Sequence, residues 1–287
     1  MNFTFKVLFK AYLDCRKRKR NTINAISFES NCIENIQNLL ESLNTKTYHP
    51  TRSIYFICKK PKVREIIAAD FRDRIVHHLI YNRLESYFDK SFIYDSFACR
   101  KTKGNLAGVQ RLYNFCNNIT RKGKIKAYYL QMDIKNYFLS INKNILYNLI
   151  MKCPYAMNID WLIKVVLFHN PIENCVIKGK KEFINLLPHH KSLINAPKNK
   201  GIPIGNLTSQ FFSNIYLNEL DKFIKHTLHY KYYIRYVDDY VLLDTSRNNL
   251  ITIKEDIEKF LKEKLELSIN TNSTKLKHIN DGINFLG

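Results

Sequence analysis

Glycine and proline are scarce in this chain, with 8 and 7 among 287 residues. So few breakers exclude a collagen-like or low-complexity architecture and leave no flexible linker between domains. No two of the cysteines, at 15, 32, 58, 99, 116, 153 and 175, form a CxxC pair, and their number is odd. That pattern is neither a zinc framework nor a disulfide scaffold, and it fits a reducing cytoplasm. No uninterrupted apolar run of about 18 residues occurs, so no membrane span is expected. The N-terminal MNFTFKVLFKAYLDCRKRKR is broken by Lys6, Lys10 and Asp14, and its basic run follows the apolar part, the reverse of a secretory signal. Acidic residues are also few, 25 against 46 basic ones, for a formal net charge of +21.

What is present is a core and a field. Hydrophobic residues make up 45% of the chain and aromatics 13%, enough to bury one large domain or two moderate ones. Self-repulsion at +21 does nothing for folding but attracts polyanions, so nucleic acid is the expected partner. An AT-rich gene would produce a similar excess of Lys, Asn and Ile. The basic run from Arg16 to Arg20 either touches phosphates or forms a solvated helix end.

Apolar spacing predicts helices over 3–15, 29–43 and 105–119, and one beginning after Asp70 through FRDRIVHHLIYNRLESYF. RSIYFICKKPKVREIIAAD reads as two strands around a turn at Lys60-Pro61-Lys62. His77 and His78 lie about 100° apart on their helix, which makes them poor joint metal ligands and places them in the core or a groove. KIKAYYLQMDIKNYF climbs as a strand into Asp133, followed by helical patches near 142–151 and 158–168. LLPHHKSLINAPKNKGIPIG reads as a loop in which His189 and His190 contact nucleic acid or nothing rather than a metal, and Trp161 reads as core. Next come a helix from about Ser209, a hairpin of 231–237 and 240–244, a charged helix over 247–265, and short strands near 266–269 and 283–286. Arg100, Lys101 and Lys103, interleaved with aromatics in SFIYDSFACRKTKG, suit a groove that tracks a nucleic-acid backbone, and a loop packed on the core is the other reading.

The hairpin raises a question of charge. YIRYVDDYVLL, residues 233–243, places Asp238 and Asp239 side by side in the most strand-like stretch of the chain. A hairpin turn accounts for one such pair. Asp133, however, also ends an apolar strand, and if the two strands are neighbours the carboxylates converge. They cannot all stay ionised at close range without a cation. Two magnesium ions roughly 4 Å apart would resolve that repulsion and suit in-line phosphoryl transfer, with manganese as a substitute.

These stretches resemble the reverse transcriptases over nearly the whole chain. Tyr236–Asp239 (YVDD) resembles the family's YxDD hairpin, and QMDIKNYF the strand that carries the other metal-binding aspartate. PKVREI resembles the fingers hairpin, FRDRIVHHLI the next fingers motif, IGNLTSQ (204–210) the QGxxxSP loop and helix, and GINFLG the start of the primer grip. Their order and spacing carry the resemblance. It implies an α/β (α+β) right-hand polymerase fold, with fingers over 1–124 and a palm over 125–287 interrupted by an insertion near 142–200. The palm sheet would be antiparallel with helices on one face, and the thumb is expected to be missing after 287. The implied catalytic and metal-binding residues are Asp133, Asp238 and Asp239, with the backbone carbonyl of Ile134 on a metal. Lys60 and Arg64 would grip a deoxynucleoside triphosphate, Phe138 would act as a steric gate, and Ile204, Gly205 and Gln210 would face the nascent base pair. Tyr236 would touch nucleic acid, together with Arg100, Lys101 and Lys103. The implied partners are template RNA and a primer or cDNA, with no membrane, in a prokaryotic or phage-encoded cytoplasmic enzyme.

HKSLINAPKNKGIPIGNLTSQFFSNIYLNELD, IAADFRDRIVHHLI and YDSFACRKTKG further resemble the enzymes of diversity-generating retroelements, which copy a template RNA with errors at adenines and work with a small basic accessory protein. Most reverse transcriptases have Gln and Pro where this chain has Ile204 and Gln210. An amide beside the base pair can hydrogen-bond substrate or template and isoleucine cannot, a difference of about 1–3 kcal/mol in discrimination. Ser273 stands where a lysine is usual, with Lys275 close by. A phage-defence or group II intron-type reverse transcriptase, or a catalytically silent nucleic-acid-binding protein on this fold, are the alternatives.

Overall fold

The computed structural model describes residues 2–17, 19–60 and 62–286. Arg18 of the basic run, Pro61 of the expected turn and Gly287 of the last motif lie outside the described residues. In chain order the elements are α1 (Phe5–Arg16), α2 (Ile23–Ser30), α3 (Cys32–Asn44), β1 (Ser53–Cys58), β2 (Arg64–Ala69), α4 (Phe71–Ser91) and α5 (Asn105–Ile119). Then follow β3 (Tyr128–Met132), α6 (Tyr137–Ser140), α7 (Lys143–Met151), α8 (Pro154–Met157), α9 (Asp160–Phe168) and β4 (Cys175–Ile177). The chain continues through α10 (Leu207–Lys222), β5 (Tyr233–Tyr236), β6 (Asp239–Asp244), α11 (Arg247–Leu265) and β7 (Lys275–His278). No helix among the described residues is long and apolar enough to cross a membrane.

The chain divides into two compact units, Met1–Phe88 with Lys143–Phe212, and Asp89–Asn142 with Ser213–Gly287. Residues 89–124 cluster with the second unit.

In the first unit α1 buries Leu8, Ala11, Tyr12 and Cys15, and α3 buries Ile36, Leu39 and Leu43, both at helical spacing. The single helix expected over 29–43 is broken at Asn31, whose φ of −127° and ψ of 49° leave the helical region. β1 and β2 pair antiparallel with Phe56 opposite Ile66. β4 joins β1 in parallel, giving the order β2-β1-β4. Its three residues are too few to show alternation in the sequence. The expected loop before Gly205 contains short 3₁₀ turns and is tied to β2, where buried Glu65 accepts from Ser192 Oγ at 2.8 Å and the Leu193 N–H at 2.7 Å. His77 is core, with Nδ1 paired to Thr208 Oγ1 at 2.6 Å, and Trp161 is half-buried.

The second unit is built on a four-stranded sheet of order β5-β6-β3-β7, antiparallel throughout. Successive residues point to opposite faces. Ile234, Val241, Leu243 and Tyr129 pack with Leu112 and Phe115 of α5 on one face. Tyr233 and Arg235 point the other way and both donate to Asp221 of α10. α11 runs beside this part of α10, with Phe260 stacked on Phe223 at 4.3 Å and Tyr216 Oη donating to the Leu265 carbonyl. Helices therefore cover both faces of the sheet, where one was expected; the addition is α5. The strand expected at 266–269 is a single bridge, Ile269 to Ile134, and 283–286 is irregular. The edge strand is β7 instead, whose Lys275 and Lys277 left no apolar alternation to read.

Candidate active site

The hairpin tip comes first. Tyr236 pairs with Asp239, so Val237 and Asp238 form a two-residue turn. Val237 has φ of 54°, a left-handed conformation that costs a β-branched residue about 1–3 kcal/mol. The register Met132 to Tyr240 sets the end of β3, and hence Asp133, beside this tip.

The carboxyls of Asp133 and Asp238 approach closely enough to share a hydrogen bond. Burial, and then the Asp133 charge, push the Asp238 carboxyl up to about 7. Asp239 is also raised, chiefly by burial. Its oxygens are turned to Gln131, whose Nε2 donates at 3.1 and 3.3 Å and also to the Asn284 carbonyl at 2.9 Å. Among the described residues no three His, Cys, Asp or Glu side chains converge on one point. The converging pair is Asp133 and Asp238, with Asp239 held aside by an amide. Such a pair fits a divalent cation, because two adjacent carboxyls in a half-buried site must otherwise share a proton.

Asp133 is fixed from the far side. Its carbonyl accepts from the Asn270 N–H at 2.7 Å, and its Oδ2 lies 3.4 Å from both Asn270 Nδ2 and Ser273 Oγ. The Lys135 N–H donates to the Ser268 carbonyl, so the bridge at Ile134 uses its neighbours and leaves the Ile134 carbonyl out of both bonds. Phe138 is half-buried on α6, against Tyr137 at 5.4 Å. Tyr236 is half-buried against the α5 side of the sheet.

Lys60 and Arg64 belong to the first unit, both exposed at the β1–β2 hairpin. In the same unit the Ile67 N–H donates to the Ile204 carbonyl at 2.8 Å. Gly205 has φ of 131°, and a Cβ there would lie 3.0 Å from Ile66 Cγ2 and 3.2 Å from the Ile67 carbonyl oxygen. Only glycine fits so close to β2. Asn206, not singled out from the sequence, accepts from the Ala69 N–H at 2.8 Å and completes this anchor. Gln210 is exposed on α10.

The nucleic-acid role expected of Arg100 is not what the structure gives it. Its guanidinium is buried, donating to Asp89 Oδ1 at 2.7 Å and to the carbonyls of Ile93 and Ser96. Lys103 Nζ donates to the Tyr94 carbonyl at 2.9 Å and sits 3.4 Å from the Tyr94 ring centroid. A basic and aromatic stretch looks the same whether its cations meet phosphates or carbonyls of their own loop. Lys101 is exposed.

Besides Asn206, the residues that support the site without a sequence signal being taken up are Gln131, Arg235 and Asp221. The signal was available. Arg235 shares the register of Tyr233, and Asp221 follows Leu217 and Leu220 on the apolar stripe of α10, so both are charges at core positions.

The sequence pattern of the family described as reverse transcriptase (RNA-dependent DNA polymerase) matches residues 57–287. The COX1/OXI3 intron 2 protein of Saccharomyces cerevisiae is 22% identical over 98% of this chain and 37% of its own length. The group II intron-encoded protein LtrA of Lactococcus lactis is 22% identical over 88% of this chain and 49% of its own. The chain thus spans half or less of these two relatives. Apo telomerase of Candida tropicalis superposes with a TM-score of 0.55 at 15% identity, over 83% of this chain and 47% of that one. That likeness is one of fold, a right-hand polymerase.

Proposed function

This chain belongs to the reverse transcriptase (RNA-dependent DNA polymerase) family, and from that premise we propose that it extends a primer 3′-hydroxyl with deoxynucleotides on an RNA template. The observation that carries this is the Asp133–Asp238 pair at the joint of β3 with the β5–β6 turn. These two aspartates are the principal ligands of divalent ions, magnesium or manganese, and Asp239 is secondary. When bound, the ions would lower the pKa of the attacking hydroxyl and neutralise the triphosphate. Residues 1–124 are assigned to the fingers and 125–287 to the palm, with an insertion near 142–200. Lys60 and Arg64 bind the triphosphate, Phe138 excludes ribonucleotides, and Ile204, Gly205 and Gln210 contact the nascent pair. The net charge of +21 supports template and primer binding that falls steeply with salt. The test is magnesium-dependent primer extension on an RNA template, with Asp238→Ala as control. Incorporation by the wild type no greater than by the control would end the enzyme reading.

The finer reading is error-prone copying in a diversity-generating retroelement, with a small basic accessory protein. It is supported by Ile204 and Gln210 at positions where an amide and a proline are usual. Sequencing products copied from a defined RNA tests it. Errors are expected to concentrate at template adenines and to fall in Ile204→Gln; uniform errors, or no change in the variant, contradict it. The group II intron-type alternative is favoured by the similarity to the group II intron-encoded protein LtrA, and uniform errors would support it.

A further inference from the structure

Arg235 has no exposed surface, and all its guanidinium N–H groups are engaged. Nε and Nη2 donate to Asp221 at 2.8 and 2.6 Å, and Nη2 also to Ser96 Oγ at 3.1 Å. Nη1 donates to Asn214 Oδ1 at 3.2 Å and to the carbonyl of Val237 at 2.8 Å. The backbone of Arg235 is held as well, between the Asp95 carbonyl and the Phe97 N–H. Asp221 is equally buried and also accepts from Tyr233 Oη at 2.7 Å. A buried ion pair contributes little net stability, because desolvation offsets its attraction. Its retention here calls for another reason.

The reason lies at Val237. This is the residue with φ of 54° in the turn that carries Asp238. Glycine takes that conformation freely and valine does not. Something must hold it, and the Nη1 bond to its carbonyl is the contact in place to do so.

We propose that Arg235, locked by Asp221, is a positioning residue that holds the Val237 turn in its left-handed form and thereby aims Asp238 at Asp133. The consequence for DNA synthesis rests on the polymerase reading above; the consequence for metal binding does not. Arg235→Lys keeps a charge for Asp221 but cannot span the fork to Val237.

The test uses the full chain and manganese binding followed by electron paramagnetic resonance, with primer extension alongside. Arg235→Lys is expected to weaken manganese binding about tenfold or more, as losses of ligand-orienting groups do. At saturating triphosphate kcat falls while KM stays. Adding Val237→Gly to Arg235→Lys should recover most of both, because the turn no longer needs the guanidinium. Where Arg235→Lys does not fold, Asp221→Asn keeps the shape and carries the same expectation of about tenfold. Manganese binding unchanged in a folded Arg235 or Asp221 variant, no recovery on adding Val237→Gly, or no manganese binding by the wild type would each overturn the proposal. A wild type that binds manganese, responds to these variants, and makes no DNA would leave it standing and remove the polymerase reading instead.

Discussion

The molecule carries two charged hairpins with opposite treatment. At β1–β2 the turn region holds Lys59, Lys60, Lys62 and Arg64, all exposed. At β5–β6 Asp238 in the turn and Asp239 at the start of β6 are sunk enough that both carboxyls are raised above their usual range. Exposed cations keep most of their hydration, and of these only Lys59 has a ring partner among the described residues, its Nζ lying 3.2 Å from the Phe183 centroid. Sunken carboxylates lose theirs, so each must be answered: Asp239 by the Gln131 amide, Asp238 by sharing with Asp133. On the proposed function, the residual repulsion would make the second hairpin a cation trap and the first a hydrated, positively charged surface for phosphate.

The comparison can be broken at its acidic end with the largest effect. Asp133→Ala is expected to lower single-turnover nucleotide incorporation by roughly a thousandfold or more, about 4 kcal/mol of barrier. A quench-flow assay at saturating magnesium measures it. Next in size is Arg100→Met, which separates cations that face water from those that do not. Its internal bonds imply a stability loss of about 2–3 kcal/mol by urea denaturation, with template affinity unchanged once folded.

Third is the pH response of the metal-free chain. The folded-state pKa of Asp238, about 7, lies above its ordinary value of 3.8, so the folded form holds the proton more tightly. The stability this provides is full below about pH 4 and is lost as pH rises through about 7. Asp238→Asn should therefore stabilise the metal-free protein at pH 8 by on the order of 1–2 kcal/mol, with the gain vanishing toward pH 4. His77, held down to about 3 by burial, opposes stability at low pH in both proteins and cancels in their difference. Thermal melts of the pair across pH check this. The smallest effect is at the basic hairpin, where Lys60→Ala should raise KM for the triphosphate about tenfold with little change in stability.

Much of this is legible in the sequence alone. The β5–β6 hairpin and the strand into Asp133 follow from alternation and from acidic residues where strands avoid them. α11 runs from Arg247 to Leu265 as its spacing predicts, capped by Ser246 Oγ accepting from the Asn249 N–H. What stayed hidden depends on pairing across long separations. Gln131 reaches Asp239 because of a register that no local pattern encodes. Arg100 was misread because a cation's partner is not written beside it, and β4 because three residues have no period.

The most direct measurement is calorimetric titration of the wild type and Asp238→Asn with magnesium near pH 7, in buffers of different ionisation enthalpy. The account predicts that binding to the wild type releases a fraction of a proton, and that both the release and most of the binding disappear in Asp238→Asn. Equal magnesium binding by the two proteins, with no proton released from either, would contradict it.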